Sequence, residues 1–380
     1  MSSLRDILEA ALVENPDDLA THNAYADYLQ EQGDPRGEFI ALQLALEDPQ
    51  RSEADRRRLQ ERIDDLMQTN RREWVGVLAD ELFGPKSAAR QPRDNERQTY
   101  DIRFARGWLD RIARLEDTVC SSDLGGLMCR APETRLLRTL ILEYDEGTIA
   151  ELIHSSYLGN LRVLQIGPRT NLLGEFEFLL EPETELDKLV ANLSRLEELY
   201  LFQSVCLSDR LFSLENLTNL RVLEASELTD RNYPLYLASN PAFGRLRHLY
   251  LRSWPSGPCL DLSGARAILH STHLRNLTHL HLQRSDLGDV GCTEIVTSGI
   301  LKRLKVLDLR YGEIGDSGAR TLADCPDLRN LELLDVGRNA LTQTGVDALS
   351  RILGPAVRVD SQQTEEELER QSYLREADCF

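Results

Sequence analysis

The sequence is short of lysine and of basic charge in general. Of its 44 basic residues, 40 are arginine, and only Lys86, Lys188, Lys302 and Lys305 are lysine. Against them stand 63 Asp and Glu, a formal charge of −19 and a pI near 4.9. A general nucleic-acid binder displaces counterions with a cationic surface, and an anionic membrane asks for the same, so no nucleic acid and no membrane is expected as partner. Long apolar runs are also lacking. No stretch reaches the ~18 apolar residues of a spanning helix. Arg5, Asp6, Glu9 and Glu14 interrupt the first residues, so no secretory segment is expected. The seven cysteines (120, 129, 206, 259, 292, 325 and 379) are odd in number, scattered and without a CxxC pair. That excludes a zinc ribbon or a thioredoxin-type motif and points to a reduced, cytoplasmic protein. The sequons at Asn192, Asn216 and Asn276 are then chance matches.

Enzyme signatures are missing as well. There is no Walker loop, GxGxxG, HExxH or GxSxG, and the carboxylates show no recognisable pairing. Cys206, Cys292 and Cys325 fall near apolar positions and read as packing residues rather than nucleophiles. No catalysis, no cofactor and no small-molecule substrate is expected.

What the sequence has in excess is leucine. It holds 68, of which 50 lie between Leu136 and Leu353 and 12 in the first 100 residues. The leucine-poor part reads as helices. Leu4, Ile7, Leu8, Ala11 and Leu12 recur at helical spacing over 3–14, and Asn15-Pro16 breaks the run. A second helix fits 17–32, with Gly33 after it. Asp34 is a good N-cap and Pro35 a good first residue for a third helix carrying Phe39, Ile40, Leu42 and Leu46. A fourth is expected from Ser52 to Leu82, with Arg56-Arg57-Arg58 on its solvated face. Within this part, Tyr25-Ala-Asp-Tyr-Leu-Gln-Glu-Gln-Gly-Asp-Pro-Arg-Gly-Glu-Phe-Ile40 resembles the signature of the bacterial repeat-companion domain. That module precedes repeat arrays, mainly in planctomycetes and other large-genome bacteria. The resemblance covers roughly residues 1–50 and implies an architecture, not a reaction.

The leucine-rich part is periodic. Leu-x-x-Leu-x-Leu, with small substitutions, recurs eight times, starting at Leu137, Leu161, Leu196, Leu220, Leu246, Leu277, Leu304 and Leu331. The last three units are in register: Leu282, Leu309 and Val336 correspond, as do Gly291, Gly318 and Gly345. Asn339 sits where a buried amide satisfies turn carbonyls, with Ser285 and Gly312 at the equivalent sites. The pattern resembles the leucine-rich repeat of the ribonuclease-inhibitor-like subclass, over about residues 137–357. One such unit cannot bury its leucine face alone, and stacked units make one continuous core. The expected fold is therefore an α/β solenoid with a parallel sheet on its concave face, helices and turns on its convex face, and a small all-α domain before it. The expected division is 1–82 helical companion domain with its long helix, 83–103 linker, 104–136 N-terminal cap, 137–357 solenoid and 358–380 acidic tail. Irregular spacings place insertions at 167–193 and 254–262.

Alternation along each strand then gives the open face. Tyr200, Phe202, His248, Tyr250, Arg252, His279, His281 and Arg310 should form one patch across the middle strands. Tyr and Arg with aromatic neighbours are what interface hot spots favour, although exposed sheets also use aromatics simply as β-formers. His248, His279, His281 and Asp308 could in principle ligate zinc. Nothing in the sequence supplies supporting groups for such a site, and no metal is expected. The reading is a non-catalytic scaffold that binds a protein partner through the concave face, and −19 favours a partner with a basic surface. The alternative, by fold analogy, is a regulatory or inhibitor subunit of a separate enzyme.

Overall fold

In the computed structural model, residues 3–84, 99–115, 123–143, 146–167, 185–202, 209–226, 232–252 and 260–363 are described. They divide into two compact units, Met1–Leu164 and Gln165–Phe380.

The first unit opens with helices α1 (Leu4–Glu14), α2 (Leu19–Glu31), α3 (Pro35–Leu46) and α4 (Glu53–Trp74). Each starts at a side chain that takes up orphan backbone N–H groups: Ser3, in a capping box with Asp6, then Asp18, Asp34 and Ser52. Helix α1 turns Leu8 and Leu12 towards the core but leaves Leu4 and Ile7 more than half exposed. The long helix expected as far as Leu82 stops at Trp74. Gly76 there adopts a left-handed conformation, and the Glu133 carboxylate occupies the space its Cβ would need. A short 3₁₀ turn follows, then α5 (Ala79–Phe83). Strands β1 (Tyr100–Ala105) and β2 (Trp108–Arg114) form an antiparallel hairpin whose first strand starts inside the segment read as a linker. Arg106 and Gly107 turn it, both at positive φ, as a two-residue hairpin requires. The helices and the hairpin share a core. Leu12, Tyr25, Ala26, Leu29 and Ile40 close around Trp108 and Leu136, while Phe39, Ile63, Leu66 and Trp74 close on Phe104. Two buried charged residues in it, Glu9 and Arg36, have partners. Glu9 accepts from Tyr25 Oη at 2.6 Å, Arg5 Nε at 2.8 Å and Arg135 Nη1 at 2.6 Å. Arg36 donates to the Gly107 and Trp74 carbonyls and lies over the Trp108 ring. After α6 (Leu124–Met128), β3 (Thr139–Leu142) pairs parallel with β2; α7 (Glu146–Leu152) and β4 (Val163–Ile166) then lead across the division.

The second unit alternates strand and helix: α8 (Leu186–Ala191), β5 (Glu198–Leu201), α9 (Asp209–Phe212), β6 (Val222–Ser226), α10 (Tyr233–Ser239), β7 (His248–Arg252) and α11 (Leu262–Leu269). It continues with β8 (His279–Gln283), α12 (Gly288–Ser298), β9 (Val306–Asp308), α13 (Asp316–Ala323), β10 (Leu333–Asp335), α14 (Gln343–Leu353) and β11 (Val357–Arg358). Every Leu-x-x-Leu-x-Leu motif makes a strand starting two residues after its first leucine. Strands β5 to β11 pair parallel and in register, each with the next in sequence. The leucines Leu199, Leu223, Leu249, Leu280, Leu307 and Leu334 stack along one row, each no more than 1% exposed. This is the α/β repeat architecture that the periodicity predicts.

Two polar ladders lock successive repeats. Asn339 is fully buried; its Oδ1 accepts from Gly312 N and Ile314 N, and its Nδ2 donates to the Leu309, Val336 and Gly337 carbonyls. One amide thus serves two turns, because Gly312 has no side chain of its own. Asp289 accepts from Gly315 N of the following repeat, and Asp316 accepts from Thr342 N and Gly345 N. The residue after each strand that turns left-handed, Arg284, Tyr311 and Arg338, recurs at the repeat interval.

Candidate functional site

Parallel pairing in register sets like positions side by side at the ~4.8 Å strand spacing. His248 pairs with His279, and Tyr250 with His281. The rings answer by stacking. His248 lies on His279 at 4.0 Å between centroids and 7° between planes, and Tyr250 lies on His281 at 4.1 Å and 29°. Tyr200 belongs to the same row as Tyr250, with Glu224 of β6 between them. Its hydroxyl donates to Glu198 Oε2 at 2.7 Å. All of these side chains are half-buried on the open face, and Arg252 beyond them is exposed.

On β9 the row becomes ionic. Asp308, 2% exposed, accepts from Gln283 Nε2 at 2.7 Å and from Arg310 Nη2 at 2.7 Å, and lies 3.1 Å from His281 Nδ1. Burial alone would raise its pKa, yet the hydrogen bonds from His281 and Arg310 hold it well below the usual carboxylate range. Asp308 raises the guanidinium pKa of Arg310 in turn, and Arg310 Nε also reaches Asp335 at 3.5 Å. Asp335 is shifted the other way, upwards, chiefly by burial. Desolvation, with the neighbouring imidazoles adding to it, holds His248 and His279 below the ordinary histidine value.

A cleft of about 220 Å³ opens at the carboxyl ends of these strands, between Phe202, Tyr250, Arg252, His281, Arg310 and Tyr311. The eight residues expected on the face therefore fall in one region, and of them only Phe202 is buried. Phe202 is only 5% exposed: its backbone N–H continues the ladder to the Ile166 carbonyl at 2.8 Å, and its ring lies beside Tyr200 and lines the cleft. Asp308, expected outward, is drawn in by Arg310. Tyr311 was not among the expected residues, although its register with Arg284 and Arg338 at the turn after each strand was readable. Glu198 and Glu224 border the rings and were likewise outside the expected set.

Among the described residues, no group of three or more His, Cys, Asp or Glu is placed to hold a metal ion. The imidazoles that could ligate one are stacked face to face instead. Cys292 is buried, and burial pushes its thiol pKa up to about 12, which leaves it inert as a nucleophile. Cys325 is also buried. Cys206, the greater part of both insertions and the acidic end of the tail lie outside the described residues.

The leucine-rich-repeat family profile matches residues 273–296, 303–323 and 327–350. These three segments are leucine-rich repeats. They contain β8, β9 and β10, the part of the sheet that carries the ionic row. A crystal structure of a Bacteroides fragilis protein, a structural-genomics target, is similar to the chain at a TM-score of 0.49 and 18% identity, over 65% of this chain and 73% of that one. No curated protein matches the chain. Leucine-rich repeats are in general protein-interaction modules, and among the described residues no helix is long and apolar enough to cross a membrane.

Proposed function

We propose that the chain is a non-catalytic scaffold that binds a protein partner through the open face of strands β5 to β9. The observation that carries this is the group of half-buried Tyr and His side chains at matched positions on β7 and β8, with Tyr200 two strands away in the same row and Arg252 and Arg310 beside them. Tyr and His rings in stacked pairs offer large, amphipathic contact area with little rotamer freedom left to lose. The −19 charge draws a partner with a basic surface and makes the association salt-dependent. On the same reading, the first helices are those of a repeat-companion module, in a cytoplasmic protein of bacterial type.

The test is capture from native cells with wild-type chain and with the double variant Tyr200→Ala, Tyr250→Ala. The expected result is one or more partners recovered by wild type and lost by the variant, with thermal unfolding of the two chains similar. Unchanged recovery of every partner would remove the face from consideration. A single stoichiometric enzyme among the lost partners would make the chain that enzyme's regulatory subunit.

A further inference from the structure

The charge of −19 is not spread evenly along the chain. Between Arg231 and Arg284 seven arginines stand against a single acid, Asp261. The fold gathers part of this basic stretch on one edge. Each strand from β5 to β10 is entered from a turn at the amino end of the sheet. The turns before β7, β8 and β9 carry Arg245, Arg247, Arg275, Lys302, Arg303 and Lys305, and no Asp or Glu. Backbone bonds set these turns side by side. Arg247 N donates to the Arg221 carbonyl, Thr278 N to that of Arg247, and Lys305 N to that of Thr278. Side chains tie them further: Arg245 donates to Asn219 Oδ1, Asn276 to the Gly244 carbonyl and Arg303 to the Leu274 carbonyl.

These cations are poorly neutralised. Lys305 pairs with Glu332, but among the described residues no acid pairs with Arg245, Arg247, Arg275, Lys302 or Arg303. Arg303 is half-buried, its Nε lacks a hydrogen-bond partner, and desolvation with no acid to oppose it lowers its pKa. Acids close the strip at both ends. Glu197, which pairs with Arg221, and Glu215 stand in the turns before β5 and β6; Asp324, Asp327 and Glu332 stand in the turn before β10. With those outer turns included, Arg195, Arg221 and Arg329 among them, the edge still holds nine cations against five acids, a formal +4.

We propose that this basic edge binds a short acidic segment of a protein partner, its Asp or Glu carboxylates lying across the turns before β7 to β9. Guanidinium and ammonium groups hold carboxylates through charge-assisted hydrogen bonds, and the charge of the strip is complementary. Its length sets the size of the ligand. Three turns at the ~4.8 Å strand spacing span ~10 Å, about three extended residues. A longer polyanion such as a nucleic acid would run on to the acids at either end and be repelled. The acidic remainder of the chain does not cancel the attraction, because the screening length at physiological salt is only ~8 Å. The inference goes beyond the open face and does not rest on it, since none of the six cations belongs to the Tyr, His and Arg group there.

The experiment uses the full chain, rhodamine-labelled Gly/Ser decapeptides bearing four Glu or no charge, and a labelled single-stranded DNA of ten nucleotides. Anisotropy is read at pH 7.5 in about 0.15 M salt. The Glu peptide is expected to bind, and the uncharged peptide and the DNA to bind at least tenfold more weakly. Arg247→Glu with Lys302→Glu should weaken the Glu peptide at least tenfold. Both side chains are exposed, so the fold should survive, and circular dichroism checks that it does. Arg351→Glu with Arg358→Glu, on α14 and β11, changes the net charge equally and should change the affinity less than twofold. No binding of the Glu peptide, an equal loss in the two charge-reversed variants, or tighter binding of the DNA would overturn the inference. Tyr200→Ala, Tyr250→Ala should leave the Glu peptide bound as in wild type, so failure of the open face in partner capture and failure of the basic edge are read separately.

Discussion

Asn339 closes five hydrogen bonds from a position with no solvent exposure, two through its oxygen and three through its nitrogen. Without it Gly312 N, Ile314 N and the Leu309 carbonyl would be buried without a partner, at roughly 1–3 kcal/mol apiece, whereas the Val336 and Gly337 carbonyls also accept from Gln362 Nε2 and Tyr311 N. Asn339→Ala is therefore expected to destabilise the second unit by about 3–5 kcal/mol, the deficit growing with each orphaned group that water cannot reach. Urea unfolding of the two chains measures it; a loss below about 1 kcal/mol would mean the turns are held by something else. His248 and His279 make a prediction of opposite character. Their folded pKa values lie below the ordinary one, so between the two values the unfolded chain binds more protons and stability rises with pH. The stabilisation is complete above about pH 6.5 and is lost as the pH falls through the folded values. Thermal midpoints between pH 7.5 and 5.0 should fall less steeply in His248→Asn, His279→Asn than in wild type. Asp335, whose raised pKa adds stability as the pH falls, works in the opposite direction.

At the scale of the element, the aspartate ladder explains the glycines of helices α13 and α14. A Cβ on Gly318 would stand 2.6 Å from Asp289 Oδ1, and one on Gly345 would stand 2.5 Å from Asp316 Oδ1. Asp316 cannot swing aside cheaply, because Thr342 N, Thr342 Oγ1 and Gly345 N all donate to it. Alanine in a helix gains about 1 kcal/mol over glycine. Displacing a carboxylate that accepts charge-assisted bonds of ~1.5–3 kcal/mol each costs more. Gly345→Ala is expected to lower the thermal midpoint by several degrees, and Asp316→Ala with Gly345→Ala to recover part of the loss if the clash is the cause. A Gly345→Ala chain as stable as wild type would refute the ladder. The ladder position next in line holds Gln343, the first residue of α14.

These examples also show how much was legible in the sequence. Register at a fixed interval gave the strands, the buried leucine row, the role of Asn339 and the neighbourhood of His248, Tyr250, His279 and His281, because a stacked repeat converts spacing directly into position. Where the repeat gives no template, reading faltered. Periodicity carried helix α4 on to Leu82, since the Glu133 carboxylate that makes Gly76 a stop lies far away in sequence. Alternation placed Phe202 on the open face but could not tell that its neighbours there nearly bury it. Pairing of Asp308 with Arg310 depends on side-chain reach back from the turn after β9, which the pattern of outward positions does not express.

For the whole molecule, each unit has its own logic. The first packs four helices and a hairpin around Trp108 and Trp74, with Glu9 and Arg36 as buried polar anchors. The second is a stack in which every strand is supported by its neighbours. A net charge of −19 surrounds both. Raising the ionic strength from ~0.05 M to ~0.5 M shortens the screening length to a few ångströms, so association with a basic partner should slow several-fold. Stopped-flow or surface plasmon resonance reads this directly; a salt-independent on-rate would contradict the electrostatic part of the account. The central claim concerns the face itself. Hydrogen exchange by mass spectrometry, on the full chain alone and in complex with a captured partner, tests it most directly. The account predicts added protection in peptides covering β5 to β9, with the helices α11 to α14 unchanged. Protection confined to those helices, with the strands unaltered, would contradict it.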